Sequence, residues 1–227
     1  MHAKKLLPRL PDIPAEKLAP AQRALIDSIR SGPRGAATQI RGPFAVFLHS
    51  PDYGQRAQEL GGYCRLKTQV PARLSEFAIL VTAQLWRAQY EWFAHVPHAE
   101  RAGVARETIR ALRLGRMPKS APRDERAVYD FIKELYRTKR VRDRTYARLH
   151  ALLGDAGMVE FVGILGYYVL IAMSLNVFRM GPPADEPLPF REDLRMFRKS
   201  GYRFSDKNMR QRKRSRAYFD VFDRNML

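Results

Sequence analysis

The sequence predicts an all-α protein. Apolar residues recur at three- and four-residue spacing in segment after segment. No segment alternates apolar and polar residues as a half-buried strand would. Prolines and glycines fall between the periodic segments and not in paired hairpin turns. About seven helices are expected, joined by loops of ordinary length.

Residues 1–19 are Pro-rich and extended. Pro20 to Ser31 reads as a short helix with Ala24, Leu25 and Ile29 on one face, ended by Gly32-Pro33. Residues 34–42 form a loop, and Pro43 to His49 is apolar. Ser50-Pro51-Asp52 then has the pattern of an N-cap followed by proline at the first helical position, with a helix to about Lys67. Val70-Pro71 breaks it. From Ala72, Leu74, Phe77, Ala78, Val81 and Leu85 mark another helical stripe, and helical character runs to Ala102. Pro97 lies inside that stretch, so a kink or break is expected between Phe93 and Pro97. A short helix from Ala105 to Leu114 comes next, then a loop over 116–122. Asp124 to Thr138 is amphipathic, and Arg142 to Leu153 is another helix, ended by Gly154. The last helix begins near Gly157 and runs to about Met180. Its uncharged stretch, Phe161 to Phe178, sits at the lower length limit for a membrane span. Gly163, Gly166, Ser174 and Asn176 dilute it. A helix apolar all round also suits the centre of a bundle, and a buried core helix is the expectation.

Composition narrows the function classes. The chain has 227 residues, 45% of them hydrophobic, so it can build a core. One cysteine, Cys64, excludes a disulfide framework, a zinc finger and a CxxC redox pair. There is no GxGxxG, no GxxxxGKS/T and no GxSxG, so nucleotide use and serine hydrolysis have no motif behind them. No apolar signal segment comes after Lys4 and Lys5, and a soluble cytoplasmic protein is expected. The net charge of +18 is spread along the chain, with 31 arginines against 10 lysines and one dense run from Arg210 to Arg216. The bias is compositional, and specific nucleic-acid binding is not expected.

The run 71-PARLSEFAILVTAQLWRAQYEWFAHVPHAERAGV-104 resembles the carboxymuconolactone decarboxylase and alkylhydroperoxidase D superfamily. The flanks agree: GPFAVFLHSPDY at 42–53, DERAVYDFIKELY at 124–136, and Val159 to Phe178. The resemblance covers residues 42–180. It implies a helical bundle of about six helices, AhpD-like, assembled into a homo-oligomer (dimer, trimer or hexamer). Residues 1–41 are then an N-terminal extension with a short helix, and residues 181–227 a basic, aromatic C-terminal arm, of which residues 190–227, where aromatics and arginines alternate without a helical stripe, are expected to lie over another subunit. In the peroxidase branch a glutamate, a CxxC pair and a histidine form a relay. Glu76 and His95 fall on that spacing, while the cysteine positions fall on Ala88 and Glu91. Both thiols are missing, so the chain is more similar to the branch without the pair, and peroxide reduction is not expected.

The resemblance implies a cofactor-free lyase or isomerase with a Glu/His proton relay, acting on a small carboxylated or lactone substrate. Glu91 and His95 are four residues apart and share a helix face. Such a pair suits proton transfer near neutral pH. Glu76 reaches the pair if the chain folds back between Trp86 and Tyr90, as the family relay implies. His95 is then the proton donor, with Glu91 or Glu76 orienting it. Arg73 or Arg87 is a candidate to hold a substrate carboxylate, and His49 and Tyr90 are candidates for the pocket wall. His98 with His95 and Glu91 has spacing that suits a metal, but Pro97 spoils the geometry, so no metal is expected. The other class open to this sequence is a helical oligomer that has kept the fold without the chemistry and acts as a binding protein.

Overall fold

The computed structural model describes residues 7–191. Among these residues there are eight α-helices, one short 3-10 turn at Ala15–Lys17 and no strand. The helices are α1 (Pro20–Ser31), α2 (Pro43–Phe47), α3 (Pro51–Leu66), α4 (Ala72–Trp86), α5 (Gln89–Arg101), α6 (Arg106–Arg113), α7 (Arg123–Thr138) and α8 (Asp143–Phe178). The helices and the segment through Phe190 form one compact unit. From residue 192 on, the arm expected over 181–227 lies outside the described residues.

The bundle is organised around α4. It packs against α5, α6, α7 and α8, and every residue from Leu74 to Ala83 is buried. Each fully buried Phe, Ile or Leu side chain in that run contributes roughly 1.5–3 kcal/mol of hydrophobic transfer. The first turn of α4 is tied to α7: the Arg73 guanidinium donates to the carboxylates of Asp124 and Glu125, the latter at 2.7 Å. A second layer, α1 and α2 on α3, closes against α8. Glu160 of α8 accepts from the Tyr63 hydroxyl at 2.8 Å and from the Gln69 amide at 2.6 Å, which anchors the end of α3.

Several expectations change on contact with the fold. The apolar segment after Gly42 is a short helix, α2, with Pro43 at its first turn. Pro51 opens α3 as expected, but the Ser50 side chain makes no capping bond. The break expected near Pro97 is absent, and the chain reverses at Arg87, within the Trp86 to Tyr90 stretch where the resemblance implies a fold-back. Arg87 adopts a left-handed conformation (φ 50°), and the Ala88 amide donates back to the Ala83 carbonyl at 2.9 Å. Pro97 is tolerated because it sits on the exposed side of α5, while Trp92, His95 and Ala99 hold the opposite side against the core on both sides of it.

The two C-terminal helices predicted on either side of Gly154 are both present: α8 is two helical segments that meet at Gly154, whose backbone is non-helical (φ 65°, ψ −177°). This helix is long and apolar enough to cross a membrane by length and composition. One face, including Phe161, Ile164, Leu165, Tyr168, Ile171 and Leu175, is buried in the bundle. The other is not: Val159, Val162, Met173 and Val177 remain exposed. The N-terminal extension lies along the end of α8, where the Arg9 amide and guanidinium donate to the carbonyls of Phe178 and Val177.

The approach of α3 to α8 depends on Gly61. A Cβ there would lie 2.0 Å from the Tyr167 hydroxyl oxygen and 2.2 Å from the ring carbon that bears it. The Tyr167 ring is buried and has no free direction to retreat. Gly61→Ala is therefore expected to cost roughly 1–3 kcal/mol by overpacking. The thermal midpoint, followed by far-UV circular dichroism, should fall by roughly 2–4 °C per kcal/mol. An unchanged midpoint would contradict the close approach.

Candidate active site

The reversal at Arg87 lays α5 antiparallel to α4, and this sets the site. Glu76, in the second turn of α4, meets His95, in the second turn of α5. The His95 Nδ1 to Glu76 Oε2 distance is 2.7 Å, and both residues are 8% exposed. A carboxylate accepts only when it faces an N–H, so the imidazole proton is fixed at Nδ1 and Nε2 is left for other work. Tyr168 of α8 meets the imidazole edge to face at 5.0 Å. His98 lies on the other side, its ring 5.9 Å away. No described residue hydrogen-bonds Nε2.

Arg65, near the end of α3, completes the electrostatics. Its Nε stands 3.6 Å from Glu76 Oε1, and that Nε is buried without a hydrogen-bond partner. Burial pushes the Glu76 carboxyl up, but the His95 contact and the Arg65 charge outweigh it and hold the group below its ordinary value. His98 is driven the other way, down to about 4, by burial and by the Arg65 and His95 charges, so it is neutral at pH 7. Arg34, in the loop after α1, also bears on the two tyrosines. Its guanidinium lies over the Phe44 ring at 5.2 Å and donates to the Gln58 carbonyl at 3.3 Å, and its Nε is buried without a partner. Burial is the main cause that lowers Arg34, with the Arg65 charge acting in the same direction.

Glu91 is a different kind of carboxyl. It is 1% exposed, and neither oxygen has a hydrogen-bond partner among the described residues. Burial alone raises it well above its ordinary value. Burial thus favours its neutral form, and it has no salt-bridge partner among the described residues. The partner that His95 has is Glu76.

The remaining predicted residues are placed apart from this pair. Arg73 is engaged by Asp124 and Glu125 at the bundle's edge. Arg87 lies over the Phe190 ring at 5.5 Å. The His49 ring nitrogen Nε2 donates to the Pro11 carbonyl at 3.1 Å and so holds the N-terminal extension. Tyr90 packs on Gly42 and Phe93. Arg65, Arg34 and Tyr168 are site residues that the sequence does not mark. Among 31 arginines residue type carries no distinction, and all three reach the site through tertiary packing. Cys64 is buried on α3, and burial is the main cause that raises its thiol, which makes it a poor nucleophile. No group of three or more His, Cys, Asp or Glu with metal-binding geometry occurs among the described residues.

No protein-family model matches the chain, and no curated protein matches it. Among solved structures it is similar to one described as an alkylhydroperoxidase AhpD core, an uncharacterized peroxidase-related protein from Ralstonia eutropha JMP134. The match has a TM-score of 0.66 at 16% identity and covers 80% of this chain and 95% of that one. At that identity the likeness is one of fold. The chain has an AhpD-like all-α fold, as the resemblance implies, but with a single cysteine and no CxxC pair.

Glu91 gives a pH signature with a definite sign. Its folded-state pKa is raised, so above the unfolded carboxylate value of about 4.3 the native state holds a proton that the unfolded chain has released. Stability then falls as pH rises from that value to the folded one, with a slope from this group of up to about 1.4 kcal/mol per pH unit. Glu91→Gln removes the slope, so its advantage over the parent should grow from pH 5 to pH 8 in urea unfolding. A constant difference across that range would mean that Glu91 is charged in the native state.

Proposed function

We propose that this chain is a cofactor-free proton-transfer enzyme of the lyase or isomerase type, acting on a small carboxylated or lactone substrate. The observation that carries the reading is the 2.7 Å contact between His95 Nδ1 and Glu76 Oε2, in a nearly buried setting beside Arg65. With Nδ1 committed to Glu76, Nε2 is the nitrogen that gives or takes the proton. In a decarboxylation the bond to the leaving carboxylate breaks and carbon dioxide departs. The electron pair passes into the neighbouring carbonyl as an enolate, and protonated Nε2 delivers a proton to carbon. Solvent then returns that proton to the imidazole. In an isomerisation the same nitrogen removes and restores it. Arg65, beside Glu76 and with its side chain 23% exposed, is suited to hold a substrate carboxylate. Glu91 is suited to donate from its neutral acid form. A thiol peroxidase reading lacks its nucleophile, because Ala88 and Glu91 stand at the thiol positions.

We also propose that the protein assembles as a homo-oligomer. The support is the exposed face of α8, where Val159, Val162, Met173 and Val177 share one side with the exposed Gly163 and Gly166. A contiguous apolar face on one helix is a common mark of an interface. Light scattering at micromolar concentration should give a multiple of the chain mass, and Val162→Glu with Met173→Glu should shift it toward the monomer. A monomeric parent protein would sink this reading.

The catalytic reading is tested with carboxymuconolactone and a panel of related carboxylated lactones in deuterium oxide, followed by NMR. The parent protein should release carbon dioxide or place deuterium at the carbon next to the carbonyl. His95→Gln should lower the rate by about 10²–10⁴. Glu76→Gln should act similarly, and the double variant should be little worse than either single one, since the two residues act as a unit. Turnover that survives His95→Gln, or a parent protein silent across the panel, overturns the reading.

A further inference from the structure

The largest cavity among those described does not lie at the Glu76–His95 pair. It is a cleft of about 1260 Å³ where the end of α4, the length of α7 and both halves of α8 meet. That exceeds the roughly 300–1,000 Å³ common for small-molecule sites. Its walls are of two kinds, and they come from different elements. The end of α4 and the later half of α8 contribute Leu85, Trp86 and Val169, to which Tyr136 of α7 adds a ring. Trp86 is 37% exposed, which leaves its indole available. The end of α7, the connection to α8 and the first turns of α8 contribute six cations: Lys133, Arg137, Lys139, Arg142, Arg144 and Arg148.

Two of those cations are already matched. Arg142 Nε donates to Glu134 at 2.5 Å, and Arg148 donates to Asp130 at 2.7 Å. The other four have no carboxylate partner among the described residues. Lys139 reaches the Tyr136 carbonyl at 2.7 Å, and Lys133 stands 5.9 Å from the Tyr129 ring. Arg137 and Arg144 make no hydrogen bond to any described residue, and both are exposed. Four uncompensated positive charges on one wall of a concave surface repel one another. They also focus a positive potential into the cleft, which a multivalent anion relieves. The adjoining apolar wall, with a half-open indole, suits a planar or aliphatic body attached to that anion.

We propose that this cleft is a binding site for an organic polyanion, a molecule with two or more phosphate or carboxylate charges joined to an aromatic or apolar body. The charged end lies against Arg137, Arg144, Lys133 and Lys139, and the body lies on Trp86, Leu85, Tyr136 and Val169. The separation of the walls by element favours a head-and-body ligand over a polynucleotide. A backbone-tracking groove would need cations along its whole length, and here they stop where the α4 end begins. The site is independent of the relay chemistry. Val169 is nevertheless the neighbour of Tyr168, whose ring packs on His95.

The test uses the full chain and titration calorimetry with three probes: ATP, inorganic triphosphate, and a single-stranded oligothymidylate. ATP should bind saturably. Arg137→Glu with Arg144→Glu should weaken it by roughly tenfold or more, because each lost charge-assisted contact is worth a decade or so. Trp86→Ala should weaken ATP and leave triphosphate unchanged, which separates the body from the head. The control is Arg110→Glu with Arg113→Glu, exposed on α6 and outside the cleft, where the same change in net charge should leave ATP affinity within about twofold. Three results overturn the proposal: no saturable binding of ATP or triphosphate at millimolar concentration, equal loss in the control, or oligothymidylate binding that ATP does not displace.

Discussion

Glu76 is a carboxylate inside a helix whose neighbours are all apolar or small, and that constraint governs the centre of the molecule. From Leu74 to Ala83 every residue of α4 is buried, so this charge is largely shielded from bulk water. An unpaired ion in such a place costs several kcal/mol. The fold meets that cost with His95 across the α4–α5 reversal and with Arg65 from α3. The register of the reversal is therefore tied to the Glu76–His95 contact. One residue more or fewer between Trp86 and Gln89 would rotate His95 by about 100° around α5, because a helix turns once every 3.6 residues. The left-handed residue at Arg87 thus decides both where α4 ends and what its carboxylate meets.

The second buried carboxyl shows the opposite solution. Glu91 lies deeper than Glu76 and has no salt-bridge partner among the described residues, and burial pushes its carboxyl well above the ordinary range. Two glutamates on adjoining helices are pushed in opposite directions, one by pairing and one by desolvation. That is how a single fold holds a base and an acid at the same pH. Tyr167 and Tyr168 extend the pattern. Burial is the main cause that raises both phenols, Tyr167 to about 12, which favours their neutral forms, and Tyr168 packs on His95.

Much of the fold was legible in the sequence because helix ends are chemically marked. Gly32-Pro33, Pro51, Val70-Pro71, Gly103, Gly115 and Gly154 each sit at or beside a helix end or bend in the structure. The reversal between Trp86 and Tyr90 was legible through the family relay, but not that Arg87 would be its left-handed residue, since nothing in an arginine announces that backbone, whereas Pro97 announces a break that packing on the opposite face overrides. Helix α2 was hidden because five residues are too few to show a period. In the candidate site, the pairing of Glu76 with His95 was legible through the family spacing. Arg65 was not, because a guanidinium reaches its partner through the tertiary structure, here 11 residues away from Glu76 in sequence. Arg73 illustrates the same point from the other side. It is close to Glu76 in sequence, but Asp124 and Glu125, one helix away, engage it instead.

Position 91 bears on how an AhpD-like fold can serve different chemistries. A thiol and a protonated carboxyl are alike in being neutral, compact and able to release a proton, so either can be buried at the start of α5 at tolerable cost. They differ in their chemistry once deprotonated. A thiolate is a soft nucleophile that attacks an oxygen–oxygen bond and needs a second thiol to reset. A carboxylate at the same place is a weak nucleophile that can only take its proton back. With alanine at 88 and a carboxyl at 91, this chain has no thiol pair at the start of α5. The neighbouring His95–Glu76 pair is suited to proton transfer by its fixed tautomer, and it needs no sulfur to operate.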